Sequence, residues 1–171
     1  FHIMIKKITF AILVILVSIQ FVPIQKNESG TQTFDISQNY QVPDHVSTIL
    51  QGACNDCHSN MTTYPWYSKV QPVGFWLNHH TNEGKEHLNF SEFTSLPLRV
   101  QNHKFEEIIE MVENGEMPLP SYTYLGLHPE ANLSDEDRKV VVDWAKEQMA
   151  LLAATYPADS LKMKPRPAAS K

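Results

Sequence analysis

The sequence has few cysteines and no excess of cationic residues, and these shortages exclude several classes of protein. Only two cysteines occur among the 171 residues, so a structural zinc site built from four thiolates is excluded. The 14 Lys and Arg residues are outnumbered by 19 Asp and Glu residues, and no basic patch is interleaved with aromatic residues. Because proteins that bind nucleic acid need clustered Lys and Arg, this charge balance argues against a nucleic-acid partner.

The sequence also lacks internal repeats and lacks runs with the two-residue alternation of a β-strand. Apolar residues instead recur at intervals of three and four, which is typical of amphipathic helices. Predicted helices begin near Pro43, Pro72 and Ser134, and another contains Phe105 on its buried side. We therefore predict an all-α domain of four or five helices with long loops.

One long apolar segment lies near the N-terminus. Residues 8–24 contain only three polar side chains and directly follow Lys6 and Lys7. The segment is barely long enough to span a bilayer, and no Ala-x-Ala-like cleavage site follows it. We favour an uncleaved membrane anchor over a cleaved signal, and a buried core helix is the least favoured interpretation. Both favoured readings place the remaining chain on the periplasmic side of a bacterial cytoplasmic membrane.

The segments outside the helical region differ in composition from it. Residues 25–42 are polar and show no helical period, whereas the last residues are rich in Pro, Ala and Lys. The predicted division is an anchor or signal segment at 1–24, a tether at 25–42, a cofactor-binding helical domain at 43–154 and a disordered tail at 155–171.

Both cysteines belong to one motif, Cys54-Asn55-Asp56-Cys57-His58. Thiols about one helical turn apart can each add to one vinyl group of a haem, and the following imidazole can then bind the iron. A thioredoxin-like redox pair would follow a strand, and a zinc site would need more ligands. We therefore predict one covalent haem c, with Cys54 and Cys57 as attachment points and His58 as the proximal iron ligand.

The ligand on the other side of the iron has two candidates. Met117 precedes Pro118, which favours an extended loop that can present a thioether. His80 is the second candidate, because it shares an apolar helix face with Trp76. A vacant distal site and a Met117 that merely fills the core are the remaining possibilities.

Several aromatic residues lie between the cysteine motif and the end of the second predicted helix. Tyr64, Trp66, Tyr67 and Trp76 are predicted to pack against the haem or to bind its propionates, since buried Tyr and Trp need hydrogen-bond partners. An ordinary core role is the alternative for each. His128 follows another aromatic loop and is interpreted chiefly as a structural residue.

Further motifs accompany the cysteine motif: Tyr64-Pro65-Trp66-Tyr67-Ser68, Gln71-Pro72-Val73, Leu88-Asn89-Phe90-Ser91 and Gly115-Glu116-Met117-Pro118-Leu119. With them, the chain resembles the bacterial haem-binding domain family that carries a single Cys-x-x-Cys-His motif, over about residues 40–154. The order of cysteine motif, Met-Pro and capped last helix is also similar to class I cytochromes c. The resemblance implies haem attachment and says little about partners.

These features predict an electron carrier rather than an enzyme. It would exchange single electrons with redox protein partners, with no small-molecule substrate. The alternative is a haem-based ligand sensor or a peroxidase-like enzyme with an open distal site. A haem-stapled interaction module without redox turnover is a third possibility.

Overall fold

The computed structural model describes residues 2–164, apart from the side chain of Leu125. Within that range the α-helices are α1 (His2–Ser18), α2 (Asp44–Ala53), α3 (Asn55–His58), α4 (Val73–His87), α5 (Leu98–Glu113), α6 (Pro120–Thr123), α7 (Asp135–Thr155) and α8 (Ala158–Leu161). Short 3-10 helices lie at Ile19–Phe21, Ile36–Gln38, Trp66–Lys69, Phe90–Ser95, Tyr124–Gly126 and Pro129–Ala131. The described residues contain no strand beyond one isolated bridge between Glu28 and Met61, so the all-α prediction is confirmed.

The core lies where α5 packs against α7. Phe105 of α5 is fully buried, and its ring meets Trp144 of α7 edge to face with centroids 5.7 Å apart. The indole N–H of Trp144 donates a hydrogen bond of 2.9 Å to the carbonyl of Gln41, which satisfies the polar atom of this buried ring. Tyr40 and Phe93 extend the same aromatic cluster towards the cysteine motif.

The ends of the helices follow signals that are visible in the sequence. Pro43 immediately precedes α2. Ser134 and Asp137 form a reciprocal capping box at the start of α7, which satisfies two N–H groups at that helix end. Gly115 has φ of +71° just after α5, a conformation that residues with a β-carbon rarely adopt.

The structure corrects the prediction that residues 25–42 form a tether. The Asn27 side chain is buried and donates hydrogen bonds of 2.8 Å to the Ser59 carbonyl and the Thr62 hydroxyl. Ile36 and Tyr40 lie in the hydrophobic core. The segment lacks a helical period because residues 27–30 pair through main-chain hydrogen bonds with the loop that follows the cysteine motif, and only Ile36–Gln38 form a short 3-10 helix.

The predicted disordered tail is also partly structured. Helix α7 ends at Thr155, and α8 follows it and packs against α5. Leu161 of α8 contacts the core cluster, and this apolar contact gives the short helix a reason to fold back. The final part of that predicted tail, 165–171, lies outside the described residues.

The apolar face predicted for α4 is not packed into the protein core. The buried residues of this helix are Gly74 and Thr81, whereas Trp76 keeps 42% of its surface exposed. Trp76 and Leu77 line an open cleft instead, which explains why the face is apolar without being covered.

Candidate functional site

The cysteine motif forms the turn between α2 and α4. The N–H of Cys54 still donates to the α2 carbonyl of Leu50 at 3.0 Å. The N–H groups of Cys57 and His58 then donate to the Cys54 carbonyl at 3.1 and 2.9 Å. The motif therefore forms the single helical turn that its spacing predicts, and its two cysteines are not joined in a disulfide.

The imidazole of His58 is oriented by two backbone carbonyls. Its Nδ1 lies 2.9 Å from the Gly84 oxygen and 3.0 Å from the Leu88 oxygen. Because a carbonyl only accepts hydrogen bonds, Nδ1 carries the proton and Nε2 keeps its lone pair. Burial lowers the pKa of His58, although both hydrogen bonds oppose that shift. A neutral imidazole with an unprotonated Nε2 is the form that binds a metal, and a carbonyl on Nδ1 is the usual support for it.

Both thiols are held in their neutral form. Burial raises the pKa of Cys54 to about 12, and the nearby Cys57 adds to the effect. Burial likewise raises the pKa of Cys57 to about 11, with a contribution from the Asp56 carboxylate. Dithiol redox enzymes instead lower the pKa of the attacking thiol, so the environment argues against that chemistry.

An open cleft lies beside Cys57. It encloses about 490 Å³, including space open to solvent. Its walls come from the Thr62–Pro65 loop, one face of α4 and the region around α6. Apolar and aromatic side chains dominate them: Tyr64, Pro65, Trp76, Leu77, Leu119 and Tyr122. Such an apolar lining suits contact with one face of a large apolar cofactor.

A hydrogen-bonded aromatic cluster closes one side of the cleft. The Tyr67 hydroxyl lies 2.6 Å from Nε2 of the buried His128. His128 stacks on Tyr122 with ring centroids 4.0 Å apart. The Tyr122 hydroxyl donates to the Asp56 carboxylate at 2.8 Å, and Nδ1 of His128 faces Glu130 at 3.2 Å. The cluster therefore connects the cysteine motif to the loop after α6.

Sequence reasoning missed the roles of Asp56 and Tyr122 in this cluster. The two residues are 66 positions apart, and no periodic pattern links a residue inside the motif to one in a distant loop. The stacking of His128 was equally invisible. The sequence showed only that aromatic residues and a histidine lie in a loop with several prolines.

The structure places some of the predicted haem-packing residues at the cleft and others away from it. Trp76 and His80 both line the cleft, with ring centroids 4.5 Å apart and planes at 84°. Nδ1 of His80 also lies 3.8 Å from the Glu83 carboxylate. Tyr67 reaches the cleft through His128. Trp66 does not line the cleft, and 76% of its surface is exposed.

Met117 lies in the loop between α5 and α6 with its side chain half-buried. Its N–H donates to the Met111 carbonyl at 3.1 Å, and its carbonyl accepts from the Arg138 guanidinium at 2.8 Å. The residues of this loop region that line the cleft are Leu119, Ser121 and Tyr122. The structure therefore brings His80, and not Met117, into the cleft beside Cys57.

The N-terminal apolar helix has no buried residue. His2–Phe21 has a mean hydropathy of 2.1 and is long and apolar enough to cross a membrane. An exposed apolar helix in this position is typical of a membrane anchor or a signal sequence.

Comparison with known proteins gives one informative match. Neither the curated proteins nor the solved structures include one that matches this chain significantly. A protein-family model described as a haem-binding domain matches residues 14–147, which is 134 of the 171 residues. That range includes the cysteine motif, the cleft and most of α7. The chain therefore belongs to the haem-binding domain family.

Proposed function

We propose that this protein is a membrane-tethered c-type cytochrome that carries single electrons outside the cytoplasm. The observation that carries the proposal is the environment of His58. Its Nδ1 is occupied by the Gly84 and Leu88 carbonyls, and its Nε2 is left for a metal. The two thiols of the same helical turn supply the attachment points.

The residues around the motif fit a covalently attached haem. Each thiol adds across one vinyl group, so that the sulfur bonds to one vinyl carbon and the thiol hydrogen goes to the other. The raised pKa values of the thiols in the folded chain do not oppose this reaction, because the cysteines react before the haem covers them. The aromatic wall formed by Tyr64, Trp76 and Leu77 would contact an apolar ring.

A bound haem supplies an iron that gains and loses one electron. The chain's own residues hold the imidazole, exclude water from one face and leave part of the cleft open. An exposed edge suits electron exchange with another redox protein. The Tyr67–His128–Tyr122 cluster offers hydrogen-bonding groups at the rim of the cleft, where polar haem substituents would lie.

For the distal ligand we propose Met117. Its main chain is held by Met111 and Arg138, and Leu119, two residues further along the same loop, lines the cleft. A specific observation favours His80 as the alternative, because His80 already lines the cleft.

The absorption spectra of two single variants distinguish these ligands. If Met117 binds the iron, Met117→Ala loses the far-red charge-transfer band of iron–thioether ligation, whereas His80→Ala keeps it. If His80 binds, the band is absent from the parent protein and His80→Ala alone becomes high-spin. His79→Ala is the matched control, because His79 is exposed on the same helix.

The second candidate function is a haem-based sensor or a peroxidase-like enzyme. It is favoured by the absence of the Met117 side chain from the cleft lining. A high-spin ferric spectrum in the parent protein, together with rapid binding of a small ligand, would establish this function in place of electron transfer.

The proposed electron transfer is tested by a potentiometric titration of the haem-loaded full chain. We expect reversible reduction that fits a single one-electron step, with no hysteresis. Irreversible reduction, or a haem that dissociates when it is reduced, would contradict the proposed function.

A further inference from the structure

The end of the N-terminal apolar helix is attached to the folded domain. The Gln20 side chain pairs with the backbone of Gln71, accepting from its N–H at 2.9 Å and donating to its carbonyl at 3.0 Å. Gln71 is itself buried, and its side chain accepts the Phe75 N–H at 2.9 Å. The apolar helix therefore enters the domain at a fixed point near the start of α4.

Exposed apolar side chains surround this point. Phe21 is 83% exposed and Trp66 is 76% exposed, although both are large and apolar. We call these residues and their exposed neighbours the juxtamembrane surface: Phe21, Val22, Trp66, Val70 and Val73. Large exposed apolar side chains on two segments that the Gln20–Gln71 pair joins suggest a contact with a partner.

The charge around this surface suits a bilayer. The chain has 19 acidic residues, yet none occurs in 57–82 or before Glu28. The exposed charge within that first range is the cation Lys69. An apolar surface with Trp, an added cation and no carboxylate matches the interface of an anionic membrane.

The length of the apolar helix points the same way. His2–Phe21 has 20 residues, and at about 1.5 Å per residue they span roughly 30 Å. The hydrocarbon core of a bilayer is about 30 Å thick. A helix that just spans this core places its end at the headgroup region, and Phe21 at the end of this helix belongs to the juxtamembrane surface.

We propose that the juxtamembrane surface lies in the lipid headgroup region of the outer leaflet. The proposal rests on the anchored form of the proposed function and adds an orientation to it. Trp66 and Phe21 enter the interface, and the Gln20–Gln71 pair fixes the domain against the anchor. Because Pro65 and Trp76 line the cleft, the cleft then opens close to the bilayer, where a membrane-embedded redox partner can reach it.

The test uses the haem-loaded full chain in vesicles of phosphatidylethanolamine and phosphatidylglycerol, with plain or brominated acyl chains. Bromine quenches tryptophan by contact. We expect about twofold lower tryptophan emission in brominated vesicles, and we expect Trp66→Phe to remove most of that difference. Trp144→Phe is the matched control, since Trp144 is buried in the core and cannot contact the acyl chains.

Equal emission of the parent protein in the two kinds of vesicle would overturn the proposal. An undiminished difference in Trp66→Phe would also overturn it. Retention of the chain on the vesicles after a high-salt wash reports on the anchor. Haem staining of the washed vesicles reports separately on haem attachment. A failure of docking is therefore distinguishable from a failure of the proposed function.

Discussion

Gly84 of α4 lies so close to Cys57 that a β-carbon at residue 84 would be 2.7 Å from the Cys57 carbonyl oxygen. The carbonyl of the same glycine accepts the His58 Nδ1–H at 2.9 Å. One residue thus sets the approach of α4 to the cysteine motif and accepts a hydrogen bond that orients the His58 imidazole. Any side chain at this position would disturb both.

The substitution Gly84→Ala should destabilise the haem-loaded protein by about 1–3 kcal/mol, because the added methyl group forces α4 away from rigid backbone atoms. Urea unfolding followed by circular dichroism measures the change. The matched control is Gly52→Ala in α2, where the nearest atom would be 3.5 Å from the new β-carbon. That variant should be neutral or slightly more stable, since alanine favours a helix. Equal effects in the two variants would contradict the close approach.

The hydrogen bond between Tyr67 and His128 should contribute measurably to stability. Tyr67→Phe leaves Nε2 of the buried His128 without its partner, which costs about 1–3 kcal/mol. Tyr124→Phe is the control, since Tyr124 is exposed and should lose almost nothing. The same unfolding assay compares them, and identical midpoints would show that the cluster adds no stability.

Local signals in the sequence predicted much of this fold. The helix starts near Pro43 and Ser134 and the buried position of Phe105 were all expected from spacing and residue type. Such features depend on neighbours within one or two helical turns, and the cysteine motif is local in the same way. Its helical turn was therefore also predictable.

The remaining parts of the site depend on contacts between distant residues. Asn27 reaches Ser59 and Thr62, and Tyr122 reaches Asp56. A polar segment without a helical period is interpreted as a tether, because the neighbouring sequence does not show which distant carbonyl groups accept hydrogen bonds from its amides. The two interpretations of the apolar α4 face, core packing or cofactor contact, stayed open for a related reason, since an apolar stripe does not reveal whether protein or a cofactor covers it.

The packing of the predicted tether gives another prediction. Asn27→Ala removes two donated hydrogen bonds and the acceptor of the Lys85 ammonium, so it should lower the unfolding free energy by about 1–3 kcal/mol. Gln25→Ala is the control, because Gln25 is exposed two residues earlier. Thermal unfolding of both variants measures the difference. A segment that acted only as a tether would give no effect in either variant.

The thiols of the haem-free chain should react slowly. With the pKa of Cys57 raised to about 11 and that of Cys54 to about 12, alkylation by iodoacetamide at pH 8 should be at least about tenfold slower than for an ordinary cysteine, whose pKa is near 8.5. Below these pKa values the thiolate fraction grows about tenfold per pH unit, so the rate should rise steadily from pH 8 to 10. A rate that levels off near pH 7 would indicate an activated thiolate, and with it dithiol redox chemistry.

Covalent attachment of haem is tested by the intact mass of the chain, isolated from cells that attach haem and denatured in acid before the mass is measured. We expect the parent chain to be heavier than its sequence by the mass of one haem, whereas the double variant Cys54→Ala, Cys57→Ala should carry no added mass. A parent chain at its bare sequence mass, although it was red before denaturation, would show that the haem is not covalently held and would contradict the c-type assignment.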